Sequence, residues 1–364
     1  MQKMNNYLSQ KISFISMVSM LAVVFVHAYN YTDTFLQPGT IITEGLHPGA
    51  CIQFAISNAL TRYAVPFFFM ISGFLFFKDK EFGVATYGKQ VKKRCRSVLS
   101  VFLIFSVLSF AVCYLVYRYT GSGIIPMIDE RIDKSWYHYI LQNPFAFQLW
   151  FLAQLFVMCI VSPVVYFLVK KLRVVALLPL AVLWFLDKGL SYGGFTIFNC
   201  DAYMFFTLGA YIAVNKVNIK GLYQKTENKA MWIVSAIVWL SLTGVYTYIC
   251  ATAKESTYIQ VLLFKLIELA GISFIWFSYD RLSQKFFENS VTKTLTKNNF
   301  MVYLLHEPLM HIIFMWIVTY HTSDLVHALL YFPLPVAIIL VCAYIGKFLR
   351  NKFPRLNSIL IGGR

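Results

Sequence analysis

Few ionisable side chains fall inside the apolar stretches of this sequence: His27, Arg62, Asp201, Lys265, Glu268, His306, Glu307 and His311. Each is costly there, so each is a functional hypothesis by default. An imidazole titrates near neutrality and can take a proton from an alcohol, which suits His27 to general-base work. The bland alternative is a histidine hydrogen-bonded at an interface. Ser13, Ser16 and Ser19 precede it. Ser16 lies eleven positions before His27, roughly 20° out of phase on a helix, so the two share a face. Arg62 carries a guanidinium about 15 Å below the outer surface, too deep for simple snorkelling. It needs a carboxylate, a phosphate or a polar cavity, and an ion pair with Asp201 or Glu307 is its structural alternative. Tyr303, His306, Glu307, Met310 and His311 follow one helical face. Such a stripe relays protons or lines a hydrated cavity, and no third ligand at a motif spacing points to a metal. Lys265 and Glu268 are three apart and are expected to pair with each other.

The elements that must position these groups are membrane helices. Hydrophobic residues make up 59% of the chain, aromatics 18% and charged residues only 13%, with mean hydropathy +0.63. Soluble domains carry about 25% charged residues. This composition excludes an ordinary soluble enzyme, a disordered tail and a secreted disulfide scaffold. About ten apolar stretches have transmembrane character: 12–30, 51–77, 98–117, 147–169, 174–186, 197–214, 230–250, 257–279, 299–320 and 325–346. The fifth is short. The first is too long for a cleavable signal peptide and lacks a small-residue cleavage site. The fold class expected is all-α, one polytopic integral domain over 1–364. His27 then sits roughly 20 Å above the inner boundary, toward the outer leaflet. The longest outer loops, 31–50 and 118–146, have the size of lids or binding segments, or of plain connectors. The many aromatics mostly fit lipid-facing surfaces and interface belts, and none is read as a sugar platform, though Trp136 and Tyr137 in the second loop could form one.

The basic excess has a pattern. Net charge is +16, from 32 Lys+Arg against 16 Asp+Glu. Most of the 32 fall in alternate loops: around 78–97, 170–173, 216–229, 281–297 and 347–364. That is the positive-inside signature of an even number of spans with both termini cytoplasmic. It is not a nucleic-acid footprint, and the partner it implies is membrane lipid. The densest run holds Lys92, Lys93, Arg94 and Arg96. It is an anchor for anionic lipid or a cytosolic phosphate clamp. The seven cysteines are dispersed and read as small hydrophobes, although Cys51, Cys200 and Cys250 near outer ends would allow one disulfide.

Several stretches resemble the acyltransferase 3 family of integral membrane acyltransferases. Lys11 to His27 looks like its first span. Arg62-Tyr-Ala-Val-Pro-Phe-Phe-Phe-Met-Ile-Ser-Gly-Phe-Leu-Phe-Phe77 looks like its second and is the most specific match. Lys92 to Leu99 resembles the basic entry to the third span, Leu149-Trp-Phe-Leu152 with Ser162-Pro163 the fourth, and Tyr303-Leu-Leu-His306 a late span. The resemblance implies ten core helices around a pore and transfer of acyl groups, often acetyl, from cytosolic acyl-CoA to sugar hydroxyls of envelope polysaccharides or other exported molecules. It implies His27 as the catalytic residue and Arg94 and Arg96, with neighbouring Lys93, as contacts for coenzyme A phosphates. The sequence departs from the family pattern at Ser16, where an arginine is frequent, at Ser13 for aspartate and at Val101 for proline.

The expected function is therefore a membrane O-acyltransferase with acyl-CoA as donor substrate and no permanently bound cofactor. Its acceptor is a hydroxyl of an envelope glycan or another exported molecule, and its place is the bacterial cytoplasmic membrane. His27 is the base and Arg62 an oxyanion stabiliser. Ser16, Trp150, Tyr303, His306, Glu307 and His311 are the cavity-lining candidates. Two rivals stand beside it: a proton-coupled transporter or exporter using the same buried groups, and a non-catalytic sensor or partner subunit.

Overall fold

The structure, a computed structural model, describes residues 2–32, 36–78, 82–120, 137–142, 144–217, 229–282, 284–320 and 323–363. Helices α1 (Gln2–Val26), α2 (Pro48–Ala55), α3 (Ala64–Phe77), α4 (Val84–Arg94), α5 (Ser100–Thr120), α6 (Trp150–Leu172) and α7 (Leu178–Phe185) form the first half. A hairpin β1–β2 (Leu190–Tyr192, Phe195–Phe198) follows. The second half holds α8 (Cys200–Val214), α9 (Lys229–Thr252), α10 (Tyr258–Ser278), α11 (Gln284–Glu288), α12 (Ser290–Tyr320), α13 (Asp324–Tyr331), α14 (Pro333–Lys352) and α15 (Pro354–Leu360). Among the described residues the protein is all-α apart from the hairpin.

Among the described residues, seven stretches are long and apolar enough to cross a membrane: Tyr7–Val26, Pro48–Phe77, Val84–Tyr119, Phe147–Phe185, Lys229–Thr252, Tyr258–Arg281 and Asp324–Lys352. Phe147–Phe185 contains both the fourth and the fifth expected spans. They are divided at Arg173, whose φ of 53° breaks the helix. Cys200–Val214 is apolar but short, and the expected ninth span lies in α12.

The expected helix through residue 30 stops at Val26, so His27 stands in the turn beyond α1. Its neighbours hold it there. Ser57 Oγ donates to the Phe25 carbonyl at 2.6 Å, and Asn30 N donates to Gln53 Oε1 at 3.2 Å. Asn30 Nδ2 and Gln53 Nε2 both donate to the His327 carbonyl at 3.1 Å. A hydroxyl thus satisfies a carbonyl at the end of α1, and buried amides tie the turn beyond it to α2 and α13.

Span two is interrupted rather than continuous. A π-turn over Ile56–Leu60 ends in a turn at 61–63, and Thr61 Oγ1 donates to the carbonyls of Ile56 (2.8 Å) and Ser57 (3.1 Å). Side-chain back-bonding of this kind lets a helix break inside apolar surroundings. The break places Arg62 at its corner. In α6, Pro163 removes the N–H that would serve the Cys159 carbonyl, and Ser162 Oγ donates to it at 2.7 Å instead.

The tightest crossing joins α3 and α8. Gly73 and Gly209 face the opposite backbone, at Phe206 O and Met70 O, with no room for a Cβ on either. Small residues let membrane helices approach this closely. On the other side, α1 is pinned by Lys11. Its ammonium is fully buried, 2.8 Å from Asp280 and 4.2 Å from the Trp276 ring centroid, and Tyr7 also donates to Asp280.

Hairpin β1–β2 was not expected from the sequence. Gly193 and Gly194 take φ of 59° and 82° between the paired Tyr192 and Phe195, the requirement of a tight two-residue turn. None of the seven cysteines forms a disulfide.

Candidate functional site

One cavity of about 850 Å³ runs between the helices. Its lining includes Ser16 and His27 from the first span, Arg62 from the break in the second, and Arg94 from the end of α4. Trp150, Tyr303 and Glu268 also line it. The Ser16–His27 face read from the sequence is therefore a cavity wall. Residues 36–38 and Phe195, Thr196 and Ile197 of the hairpin close the His27 side. The first of these segments is tied down by Asn58 Nδ2, which donates to the Gln37 carbonyl at 3.3 Å, and the chain just beyond it by Ile42 N to the Cys250 carbonyl at 2.9 Å. One crossing, the second span, separates His27, at the end of the first span, from the start of the third. Arg94, at the entrance to that third span, accordingly belongs to the opposite end of the cavity.

His27 Nδ1 lies 3.9 Å from Glu307 Oε1, and both side chains are nearly enclosed, 11% and 1% exposed. The His306 ring packs against the His27 ring with centroids 5.6 Å apart. Helix α12 is not regular here. Glu307 has φ −109° and ψ 144°, extended values inside a helix. The cause is Pro308, whose ring disfavours helical geometry in the residue before it. The single-face stripe is thus interrupted, and the kink turns the Glu307 carboxylate toward His27 rather than into the cavity lining. His306 lies behind His27, not on the cavity wall. Its Nδ1 donates to the carbonyls of Val302 (3.0 Å) and Tyr303 (2.9 Å), which leaves Nε2 as the lone-pair nitrogen. Tyr303 does line the cavity. Its hydroxyl donates to the Gln148 carbonyl at 2.6 Å, and Gln148 Nε2 returns a bond to the Tyr303 carbonyl at 3.2 Å. The side chain of His311 lies outside what is described, as do residue 136 and the acidic part of the 118–146 loop.

Arg62 pairs with neither Asp201 nor Glu307. Its Nη2 donates to the Leu36 carbonyl at 2.6 Å and its guanidinium lies 5.7 Å from the Phe264 ring centroid. Asp201 is engaged elsewhere: Lys265 sits 3.0 Å from it and 2.9 Å from Asp187, and Trp184 Nε1 donates to it at 2.7 Å. The expected Lys265–Glu268 pair does not form, because Asp187 and Asp201 from neighbouring segments reach the ammonium instead. Glu268, 2% exposed, faces the cavity.

The basic run divides. Arg94 is half-buried against the Phe76 ring, centroid distance 5.7 Å, and lines the cavity. Lys93 and Arg96 are exposed and do not line it. Beyond the His27 end, Tyr31 stacks on His327 with centroids 4.6 Å apart. Burial raises its phenol pKa, and the carboxylates of Asp324 and Glu44 raise it further, so it stays neutral.

Glu307 as the partner of His27, and Gln148, Gln154 and Glu268 as lining residues, were not assigned these places from the sequence. Pro308 was the available signal for the first. For the glutamines there was only their position at the start of an apolar span.

Stacked membrane-length helices around a cavity beside an enclosed histidine–carboxylate pair define a multi-pass membrane protein. The acyltransferase domain family matches residues 12–345, and the chain belongs to it, the acyltransferase 3 family. It is 25% identical, over 99% of its own length and 94% of the relative's, to the succinoglycan biosynthesis protein ExoH of Rhizobium meliloti (strain 1021). No solved structure matches the chain.

Proposed function

We propose that the protein transfers an acyl group, acetyl being the expected one, from cytosolic acyl-CoA to a hydroxyl of a cell-envelope saccharide or another exported acceptor. It does so in the bacterial cytoplasmic membrane, through ten spans with both termini cytoplasmic. The observation that carries the reading is one cavity with His27, backed by Glu307, on its wall at one end and Arg94 at the other. Family membership supports the chemistry, and the relative's name points to a polysaccharide.

The acyl-CoA enters at the cytosolic end, where Arg94 contacts a phosphate and the exposed Lys93 and Arg96 raise the local positive potential. The pantetheine arm extends up the cavity. His27, with Nδ1 toward Glu307, takes the acceptor proton on Nε2. The acceptor oxygen then attacks the thioester carbonyl and forms the new C–O bond. Arg62 faces the same space and stabilises the oxyanion. Collapse breaks the C–S bond, and the imidazolium returns its proton to the departing thiolate, giving CoA and ester. Glu307 stabilises that imidazolium from behind and is a positioning residue. Arg62 also supplies positive charge on the cavity wall, where Ser16 provides none.

Arg94→Ala is expected to raise the KM for acyl-CoA about tenfold or more, the scale of one charge-assisted phosphate contact. Lys93→Ala and Arg96→Ala are expected to change it less. Steady-state kinetics at varied acyl-CoA checks the order. The reading itself is tested by envelope glycans compared by mass spectrometry with and without the gene. A loss of one acyl mass per modified unit supports it, and identical spectra contradict it.

A further inference from the structure

Beyond α14 the chain returns to the entrance of the third span. Helix α15 starts with Pro354 at its first position and is followed by two left-handed glycines, Gly362 (φ 69°) and Gly363 (φ 73°). Gly363 N donates to the Ser358 carbonyl at 2.7 Å, and Gly362 N to the Ile359 carbonyl at 3.1 Å. That pair of bonds is a Schellman turn, a conformation that suits glycine. Gly363 is exposed, but Gly362 is buried against the turn Cys95–Leu99. A Cβ on Gly362 would lie 2.5 Å from Ser97 Cα, 2.7 Å from the Arg96 carbonyl oxygen and 3.0 Å from Val101 Cγ2. One on Gly363 would meet nothing within 4 Å. The preceding Leu360 and Ile361 pack against the main core.

Cys95–Leu99 is a π-turn between α4 and α5. Its hydrogen bond spans one residue more than that of an α-turn. It therefore rotates the helix before it by roughly 100° relative to the helix after it. Arg94 is the last residue of α4, immediately before this turn, so the extra residue decides which way Arg94 faces. Ser97 and Val98 of the turn are buried. Ser100 Oγ donates to the Arg96 carbonyl, the same carbonyl that Gly362 covers. Two other bonds attach α4 to the helices beside it. Gln90 Nε2 donates to the Phe76 carbonyl at 3.0 Å, and the Tyr87 hydroxyl donates to the Ile160 carbonyl at 3.1 Å.

We infer that Gly362 is a positioning residue for donor binding: its bare Cα seats the end of α15 on the π-turn and so holds Arg94 toward the cavity. This rests on the acyl-CoA reading of Arg94. Gly362 itself does not line the cavity. With a side chain in its place, either the end of α15 lifts or the π-turn shifts, because the nearest obstructing atoms are backbone. Gln90 and Tyr87 still attach α4, so Arg94 turns away without the helix being released. The loss is therefore smaller than that from removing Arg94.

The test measures equilibrium binding of labelled coenzyme A to the full-length protein in detergent, together with kcat and the KM for acyl-CoA. Gly362→Ala is expected to weaken coenzyme A binding and raise the KM roughly threefold to tenfold, with kcat kept. Gly363→Ala is the control. It carries a similar backbone strain and no clash, so it is expected to bind as the wild type does. Ile361→Ala loosens the same seat without a clash and is expected to shift binding in the same direction, which keeps the test decisive if Gly362→Ala does not fold. Because the effect runs through Arg94, Gly362→Ala combined with Arg94→Ala is expected to bind no more weakly than Arg94→Ala alone. Wild-type binding by a folded Gly362→Ala, or by Ile361→Ala where it must stand in, would overturn the proposal. So would an equal loss in Gly363→Ala, or losses that add to that of Arg94→Ala. If Arg94→Ala still binds weakly in those cases, the acyl-transfer reading stands. Coenzyme A binding that is unchanged in Arg94→Ala instead removes the donor site of that reading, and this positioning role with it.

Discussion

His27→Ala is expected to lower acyl transfer by roughly a hundredfold to ten-thousandfold, the range lost with a general base. The geometry makes this the largest catalytic effect. His27 lies on the cavity wall, and the carboxylate 3.9 Å away can stabilise the imidazolium it becomes. Neither Arg62 nor Arg94 can take over, because a guanidinium does not accept a proton near neutrality. The side chain is partly enclosed in a turn held by backbone and amide bonds. Truncation therefore leaves those bonds in place, and the protein should still elute as a folded species. Glu307→Gln keeps the shape and removes the charge. Its effect on kcat should be smaller than that of His27→Ala, with little change in the KM for acyl-CoA, because it acts through His27. The measurement is single-turnover transfer from labelled acyl-CoA by wild type and both variants. Full activity in His27→Ala would remove His27 from the mechanism.

The second large effect concerns stability. Gly209→Ala or Gly73→Ala is expected to cost about 3 kcal/mol or more, beyond the usual overpacking penalty. The added Cβ would strike backbone rather than a movable side chain: Met70 O and Phe74 N for Gly209, Phe206 O for Gly73. Two helices would have to separate along their most intimate contact. That same crossing carries α3, and with it the corner that holds Arg62. Thermal melts in detergent and size-exclusion profiles check the effect. Gly88→Ala is the control, because a Cβ there meets nothing within 4 Å. Equal melting of Gly209→Ala and Gly88→Ala would contradict the packing argument.

Much of the site was legible because polarity is costly in a bilayer. His27, Arg62 and Arg94 stood out as ionisable residues in or beside apolar runs, and all three line one cavity. Helical phase was enough to put Ser16 with His27. Phase failed in α12, where Pro308 breaks the period and swings Glu307 out of its stripe. Sequence proximity failed for Lys265, because charges on other helices outcompeted the neighbour three residues away. Gln148 and Gln154 were silent, since a neutral amide near the end of an apolar span carries no distinctive signal until its partners are known. The hairpin was equally silent. Its paired glycines read as loop, and only the register of Tyr192 with Phe195 shows the turn.

The most direct measurement reconstitutes the purified protein in liposomes and places labelled acyl-CoA on the face that carries Arg94. Oligosaccharide acceptor is confined to the other face. Acyl transfer across the bilayer is predicted, with free CoA appearing on the donor side in equal amount and with loss of both in His27→Ala. Movement of oligosaccharide across the bilayer without CoA release, or transfer that persists in His27→Ala, would contradict the account.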